Sequence, residues 1–329
     1  MKEASEVKMP YPQEVIDLGE KVKNWGRWGD GDERGTVNYI TDEVLREAVK
    51  SIRSGKRFSL AFPLKQQGGL QLGSMPGRVN PLRTMIQLNT PVIGDPSLFC
   101  TSDDVVTMGL QAATHWDGLC HASWNGKIYG GRDATTITYD GASVCGIEKI
   151  ETLTSRGVLL DIAELLEVEE LPGGHAITYD DCVNAEERQG VQVRSGDILL
   201  LRTGMMAKAR QGDVVSYGSG TPIEGSPMPG FPGVGLGAVE FFYEREVAAV
   251  ATDTITFEVM PWDPAVPGAI LPIHCINLVM MGLTQGQNFD LEELSADCKH
   301  DGQYDFLLEA SPQPFVGGIG SPVNPVAIK

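Results

Sequence analysis

Short apolar runs of strand length recur along the chain, and segments with helical spacing lie between them. We expect strands at 57–63, 157–162, 197–202 and 247–253, and an extended segment at 105–116. Apolar positions three to four residues apart predict helices over 43–52, capped by Thr41, over 178–189, capped by Thr178, and over 238–245. The apolar segment 272–281 favours neither type. Strands that interleave with helices indicate an α/β protein.

Residues 204–237 interrupt this pattern, because they are dense in glycine, proline and serine. A stretch of this length without predicted elements inside a compact domain is typical of a functional loop. We interpret 204–237 as a loop that covers a pocket.

Composition narrows the function classes. The chain has 329 residues, and its 26 Lys and Arg against 44 Asp and Glu give a net charge of −18. This balance argues against binding to nucleic acid or to an anionic membrane surface, both of which need clustered basic residues. No apolar run approaches 18 residues, the N-terminus lacks the apolar core of a signal peptide, and six widely spaced cysteines are typical of reduced thiols. These features predict a cytoplasmic enzyme, of one or two domains by length.

The segment 111–121 carries the most informative chemistry. Two of the five histidines, His115 and His121, lie in it with Asp117 between them. In an extended chain alternate side chains share a face, so Gln111 would lie on the same side as all three. Imidazole and carboxylate suit Zn²⁺ or Mn²⁺. The alternative is a polar strand end whose histidines are hydrogen-bonded locally.

His274 is a second candidate, within an apolar run where a hydrogen-bonded core histidine is the more usual finding. Cys120 and Cys275 each adjoin a candidate histidine. In an extended chain they would point to the opposite face, so we interpret them as buried structural thiols.

The 111–121 segment resembles the metal-binding motif H-x-G-T-H-x-D-x-P-x-H of the cyclase family, which includes bacterial kynurenine formamidase and isatin hydrolase. Five further segments, at 24–29, 32–38, 156–161, 196–204 and 320–325, are similar to recurrent family segments. The resemblance implies a single α/β domain of the swivelling β/α type, with a mixed, partly closed, barrel-like sheet flanked by helices. It favours one catalytic domain over 24–329, preceded by an N-terminal arm at 1–23, and a homo-oligomer, either a dimer or a tetramer.

The resemblance also implies roles for individual residues. His115 and Asp117 match metal ligands, His121 matches the general acid/base, and His274 matches a later metal-site histidine. Either Trp25 or Trp28 corresponds to an aromatic residue that packs against the substrate.

Two positions depart from the family pattern. Gln111 replaces the first histidine of the motif, and Gln287 replaces a late acidic ligand. A neutral amide oxygen is a weaker ligand than imidazole or carboxylate, so a two-metal site is disfavoured. The cofactor expected is one divalent ion, zinc or manganese, held by His115, Asp117 and His274 with Gln111 or Gln287. A metal-free site is the alternative.

Three functions follow from this site. The first is metal-dependent hydrolysis of an amide- or lactam-type C–N bond in a small cyclic or aromatic substrate, with His121 moving the proton. The second is a metal-assisted lyase, isomerase or cyclase that transfers a proton next to a carbonyl. The third, motivated by Gln111 and Gln287, is a non-catalytic small-molecule binding protein.

Overall fold

A nine-stranded sheet of mixed direction forms the centre of the molecule. The computed structural model describes residues 11–73, 77–224, 226, 228–262 and 270–329. The strands of the central sheet, labelled in chain order, are β1 (Arg57–Ser59), β2 (His115–Asp117), β3 (Thr154–Asp161), β4 (Ile198–Arg202), β5 (Ala249–Thr252), β6 (Thr284–Gln287), β7 (Asp305–Glu309), β8 (Gly320–Pro322) and β9 (Val326–Ile328).

The strand order across the sheet is β1-β9-β7-β3-β4-β5-β6-β2-β8. The four strands from β3 to β6 run parallel, and every other neighbouring pair is antiparallel. The sheet is a half-barrel flanked by helices, which confirms the predicted α/β single domain with a mixed, partly closed sheet.

The two middle parallel strands, β4 and β5, are mainly apolar because both faces of the sheet are covered. Alternate side chains of β4 enter two different clusters: Leu199 and Leu201 pack on one face, and Ile198 and Leu200 on the other. All four are fully buried. The continuous apolar runs that predicted these strands reflect this two-sided burial.

Helices fill the connections between strands. The α-helices are Gln13–Lys21, Asp42–Ala48, Ile162–Leu165, Tyr179–Gln189, Met206–Arg210, Val214–Ser219, Leu236–Glu244, Pro272–His274 and Glu292–Asp301, and 3-10 turns lie at Gly35–Tyr39, Val49–Ser51, Tyr129–Gly131, Ala134–Thr136 and Ile147–Ile150. Both predicted caps are confirmed: the Thr41 hydroxyl accepts a hydrogen bond from the Val44 amide, and Thr178 forms a capping box with Asp181. The segment Cys275–Met281 is a π-helix.

Two sequence predictions differ from the structure. The extended segment predicted at 105–116 is divided, because one strand ends at Thr107 and the next begins at His115. The predicted loop 204–237 contains two short helices. Met206 and Tyr217 from these helices are buried in one apolar cluster, and Asp213 caps the second helix through the Ser216 amide. Burial and capping therefore stabilise helices that the local composition does not predict.

A two-stranded hairpin, Leu82–Pro91 with Cys100–Thr107, lies apart from the central sheet. Several of its apolar side chains face solvent, among them Ile86 and Leu88. In the predicted N-terminal arm, residues 1–10 lie outside the described residues, while Val15 and Val22 are buried in the core. In the part of the chain that the structure describes, no helix combines the length and apolar character needed to cross a membrane.

Candidate functional site

The site is built on β2, the three-residue strand His115-Trp116-Asp117. This strand pairs antiparallel with β6 on one side and β8 on the other, so that Gln287 lies opposite His115 and Gly320 opposite Asp117. Pairing on both sides fixes the strand, and its alternation sends His115 and Asp117 to one face. The predicted juxtaposition of these two side chains is present.

Trp116 points to the other face and joins the core. Its ring packs edge-on against Phe289, with centroids 5.0 Å apart, and its Nε1 donates a 2.8 Å hydrogen bond to the Ala310 carbonyl. Trp116 is fully buried. The burial of this large ring holds the strand, and with it the two polar side chains, in one register.

His115 directs its Nε2 at Asp117. Its Nδ1 lies 2.7 Å from the Ala113 carbonyl oxygen, which can only accept, so Nδ1 carries a proton, and in the neutral ring Nε2 carries the lone pair. Nε2 is 3.5 Å from Asp117 Oδ1. Both atoms are buried, and neither has a hydrogen-bond partner among the described residues. Two acceptors that face each other in a buried site need a cation or a hydrogen-bond donor to stabilise them.

Asp117 is fully buried at the centre of the cluster. Its Oδ2 accepts hydrogen bonds from the side-chain amides of Gln287 at 3.0 Å and Gln285 at 3.4 Å. Burial alone would raise the pKa of Asp117, but the neighbouring His121 and His115 hold that pKa well below its usual range. Asp117 is therefore a carboxylate, the state a metal ligand needs.

His274 enters the site from the short helix Pro272–His274. The fully buried Glu258 accepts 2.9 Å hydrogen bonds from the Ile273 and His274 amides, and its carboxylate also contacts His274 Nδ1. This contact places the imidazole proton on Nδ1 and leaves a lone pair on Nε2. That Nε2 is 3.2 Å from the Gln287 amide nitrogen and 4.0 Å from Asp117 Oδ2.

Left-handed backbone flanks this Glu258–His274 pair on both sides. Phe257 has φ 62° and Leu271 has φ 54°, a region that bulky side chains rarely adopt. Backbone strain of this kind concentrates at functional sites, where the surrounding structure compensates for it.

His121 reaches the cluster by a route that the sequence did not predict. The strand ends at Asp117, and the chain then turns, with the His121 amide donating to the Gly118 carbonyl. His121 Nε2 lies 3.7 Å from Asp117 Oδ1. Burial lowers the pKa of His121, although Asp117 acts in the opposite direction. The imidazole is therefore neutral at pH 7 and can accept a proton.

The cluster fits one divalent ion in part. Two ligands of a tetrahedral zinc ion lie about 3.4 Å apart, close to the 3.5 Å between His115 Nε2 and Asp117 Oδ1. The Gln287 amide nitrogen stands between Asp117 and His274, and no three His, Cys, Asp or Glu side chains of the described residues form a group that could hold a metal ion. A half-turn of the Gln287 amide would present its oxygen to the same space and complete the set.

The other predicted site residues lie further out. The side-chain amide of Gln111 packs against Gly320. A Cβ added to Gly320 would lie only 2.7 Å from Gln111 Nε2. Trp25 donates from Nε1 to the Val279 carbonyl at 2.7 Å, and Trp28 packs edge-on against Tyr39. The metal-binding role of Gln111 and the substrate-binding roles of Trp25 and Trp28 stay predictions.

A cavity of about 320 Å³ opens beside the cluster. His121, His274 and Gln287 line one part of it, and apolar residues form most of its wall. Four residues of 204–237 contribute to this wall, namely Gly218, Met228, Pro229 and Phe231. This position agrees with a segment that covers a pocket.

Sequence reasoning missed Glu258 and Arg78. Glu258 is an isolated acid between Phe257 and Val259, and this polar interruption of an apolar run is a signal that could have marked it. Arg78 lines the cavity from a loop far from any motif, and nothing in its local sequence distinguishes it.

The cysteines next to the candidate histidines are buried. Burial raises the pKa of Cys120 to about 12 and that of Cys275 to about 11. At neutral pH both are protonated thiols, which are poor ligands and poor nucleophiles. This agrees with the structural role predicted for them.

Comparisons with known proteins show the family and the fold. A family model described as "Putative cyclase" matches residues 38–259. A crystal structure described as a novel cyclase is 35% identical and has a TM-score of 0.81, and the match covers 94% of this chain and all of the other.

Two isatin hydrolases share the fold at lower identity. Isatin hydrolase A from Labrenzia aggregata is 17% identical over 84% of this chain and 94% of its own, with a TM-score of 0.59. Isatin hydrolase A from Ralstonia solanacearum is 22% identical over 83% of this chain and 91% of its own, with a TM-score of 0.56. No curated protein matches the chain.

Proposed function

Because the chain belongs to the cyclase family, we propose that it is a metal-dependent hydrolase that cleaves an amide- or lactam-type C–N bond in a small cyclic or aromatic substrate. The isatin hydrolases that share its fold are named for a cyclic substrate of this kind. The apolar wall of the cavity beside His121 suits such a substrate.

One observation carries the proposal. His115 Nε2 and Asp117 Oδ1 face each other at 3.5 Å, both buried, and neither atom is hydrogen-bonded among the described residues. Side chains arranged only for stability would not leave two acceptors opposed in a dry site. A divalent ion between them removes this cost.

His115, Asp117 and His274 would hold the ion, with the oxygen of Gln287 or Gln111 as a further ligand. Zinc or manganese bound there supplies Lewis-acid polarisation of the substrate carbonyl and makes a water molecule more acidic. Glu258 keeps the lone pair of His274 Nε2 directed into the site.

His121 would move the proton. Its Nε2 lies 3.7 Å from Asp117 Oδ1, and its pKa is lowered by burial, so the neutral ring accepts a proton from the attacking water and returns it to the leaving nitrogen. The segment 204–237 excludes bulk water from the cavity.

The test combines metal analysis with turnover. The purified protein is assayed for zinc and manganese, then stripped with a chelator and reconstituted. Isatin and formanilide serve as the first substrates, followed by mass spectrometry. The proposal expects products whose combined mass exceeds that of the substrate by one water. This turnover should be lost on chelation and restored when metal is added. Full activity without metal would overturn it, and a product of unchanged mass would favour the lyase or isomerase chemistry.

A metal-free binding protein is the second candidate, and one contact favours it. The Gln287 amide already donates to Asp117 and approaches His274, so it partly satisfies both without an ion. This candidate predicts stabilisation by a small ligand without turnover, unchanged in His121→Ala.

A further inference from the structure

The cavity beside the histidine cluster has a polar end and an apolar wall. His121, His274 and Gln287 lie at the polar end. The wall consists of Met228, Pro229, Phe231, Ile255, Met260, Ile270 and Leu271. At about 320 Å³, the cavity is at the lower end of the 300–1,000 Å³ found for small-molecule sites. It therefore admits a compact apolar body.

One cationic side chain interrupts this lining. Arg78 is the only Lys or Arg among the described residues that line the cavity. It is partly buried, and its guanidinium makes no ion pair or hydrogen bond within the described part of the chain. A guanidinium carries five donors that remain protonated at any physiological pH.

Two other shielded arginines are paired with carboxylates. Arg156 contacts Asp197 at 2.8 Å and Asp305 at 3.0 Å. Arg202 contacts Asp161 and Glu292 in the same way. A partly buried cation without a partner carries a desolvation cost that those two do not. A chain with 18 excess negative charges has many carboxylates that could meet it, and none of those in the described residues does.

A structural role for Arg78 as counter-ion to Asp117 does not account for this. The Asp117 carboxylate accepts from Gln285 and Gln287, and its nearest cationic or ionisable neighbours are His115 and His121. Arg78 is too far from Asp117 to form an ion pair and acts on it only at longer range. Its donors are therefore free for a molecule in the cavity.

We propose that Arg78 binds a carboxylate of the substrate, so that this site takes small carboxylic acids with a compact apolar or aromatic body. The inference rests on the proposed hydrolysis and names the substrate class for it. A single guanidinium fork matches one carboxylate in a bidentate pair. Phosphate sites usually gather several cations or a helix N-terminus, and no lysine of the described residues lines this cavity. The ion pair between Arg78 and the substrate would fix the carboxylate at one point and direct the scissile bond towards His121.

The experiment compares two probes of equal shape. Phenylacetate and its neutral analogue phenylacetamide are titrated calorimetrically into the wild-type protein, Arg78→Met and Arg78→Lys. Arg83→Met is the matched control, because Arg83 lies on the exposed hairpin and its loss changes the net charge equally.

The proposal expects phenylacetate to bind the wild type at least tenfold more tightly than phenylacetamide. Arg78→Met should abolish this preference, Arg78→Lys should keep part of it, and Arg83→Met should leave it unchanged. Equal affinity of the two probes for the wild type, or an undiminished preference in Arg78→Met, would overturn the proposal. Melting temperatures confirm that each variant folds.

The result is separate from that of the hydrolase proposal, because binding is measured without turnover. The titrations are repeated on chelator-treated protein and on His121→Ala. In both, phenylacetate should still bind more tightly than phenylacetamide, and this preference should still depend on Arg78. Carboxylate preference without any hydrolase activity would disprove the hydrolysis alone. Loss of the preference on chelation, with Arg78→Met unaffected, would show that the probe binds a metal and would overturn the role of Arg78.

Discussion

The side-chain amide of Gln287 donates a 3.0 Å hydrogen bond to Asp117 Oδ2, and the same nitrogen lies 3.2 Å from His274 Nε2. Gln287 therefore acts as a hydrogen-bond donor at the place where the sequence resemblance implies an acidic ligand. A carboxylate at this position would reverse the polarity of the contact. Asp117, His274 and the new carboxylate would then direct three lone pairs at one point.

We predict that Gln287→Glu strengthens zinc or manganese binding at least tenfold, because a charged carboxylate is a better ligand than an amide oxygen. Without metal, the new carboxylate would repel Asp117 and lower the melting temperature. Competition with a chelating dye measures the affinity, and calorimetry measures the stability. Gln313→Glu, an exposed position, controls for the added charge. Unchanged metal affinity in Gln287→Glu would contradict the predicted role.

We predict that Glu258→Gln weakens metal binding tenfold to a hundredfold, because Glu258 fixes the His274 imidazole. The neutral amide of glutamine has one acceptor oxygen in place of two, and it holds the imidazole proton less strongly than a carboxylate does. We therefore expect a loss of about 1–3 kcal/mol in the free energy of unfolding. Glu20→Gln, on the surface, is the control. If Glu258→Gln kept full metal affinity, His274 would not be a ligand.

We predict that His121→Ala lowers kcat by 10²–10⁴ with unchanged metal content, since the residue moves a proton and does not hold the ion. His115→Ala should lose the metal as well as the activity. His300→Ala, exposed on the helix Glu292–Asp301, should change neither. Metal loss in His121→Ala would make that residue a ligand.

We predict that the stability of the protein depends on pH through Asp197, which pairs with Arg156. Burial raises its pKa to about 6, although Arg156 opposes the shift, whereas an unfolded aspartate titrates near about 3.9. The folded state binds the proton more tightly, so the stabilisation is complete below about pH 4 and is lost as the pH rises through 6.

Asp197→Asn cannot titrate. Its free energy of unfolding relative to the wild type should therefore rise by up to about 3 kcal/mol between pH 4 and pH 7. Urea unfolding at several pH values measures this difference, with the exposed Asp30→Asn as control. A difference that is constant with pH would show that Asp197 has an ordinary pKa in the folded protein.

The sequence predicted three of the four parallel strands and missed β6. It predicted β4 and β5 because they are buried on both faces and read as continuous apolar runs. It also predicted the helix after Thr178, whose capping box is a local signal. These elements depend on neighbours in the sequence. Their boundaries differ by only a few residues from the prediction.

The site was predictable only where it is local. His115 and Asp117 share a face because they alternate on one strand. His121 joins them through a turn, and the pairing of β2 with β6 and β8 depends on residues more than 160 positions away. Glu258 is marked in the sequence only by its polar interruption of an apolar run, and nothing in the local sequence marks Arg78, because both residues reach the site only in the folded chain.

The alternation within β2 has a consequence for how this protein can change. Trp116 anchors the strand in the core, while His115 and Asp117 contribute to the opposite face alone. Mutations that replace His115 or Asp117 leave Trp116 in place in the core. The three-residue strand therefore permits new chemistry to be selected or designed on an unchanged scaffold, and substitutions at Trp116 would be tolerated least.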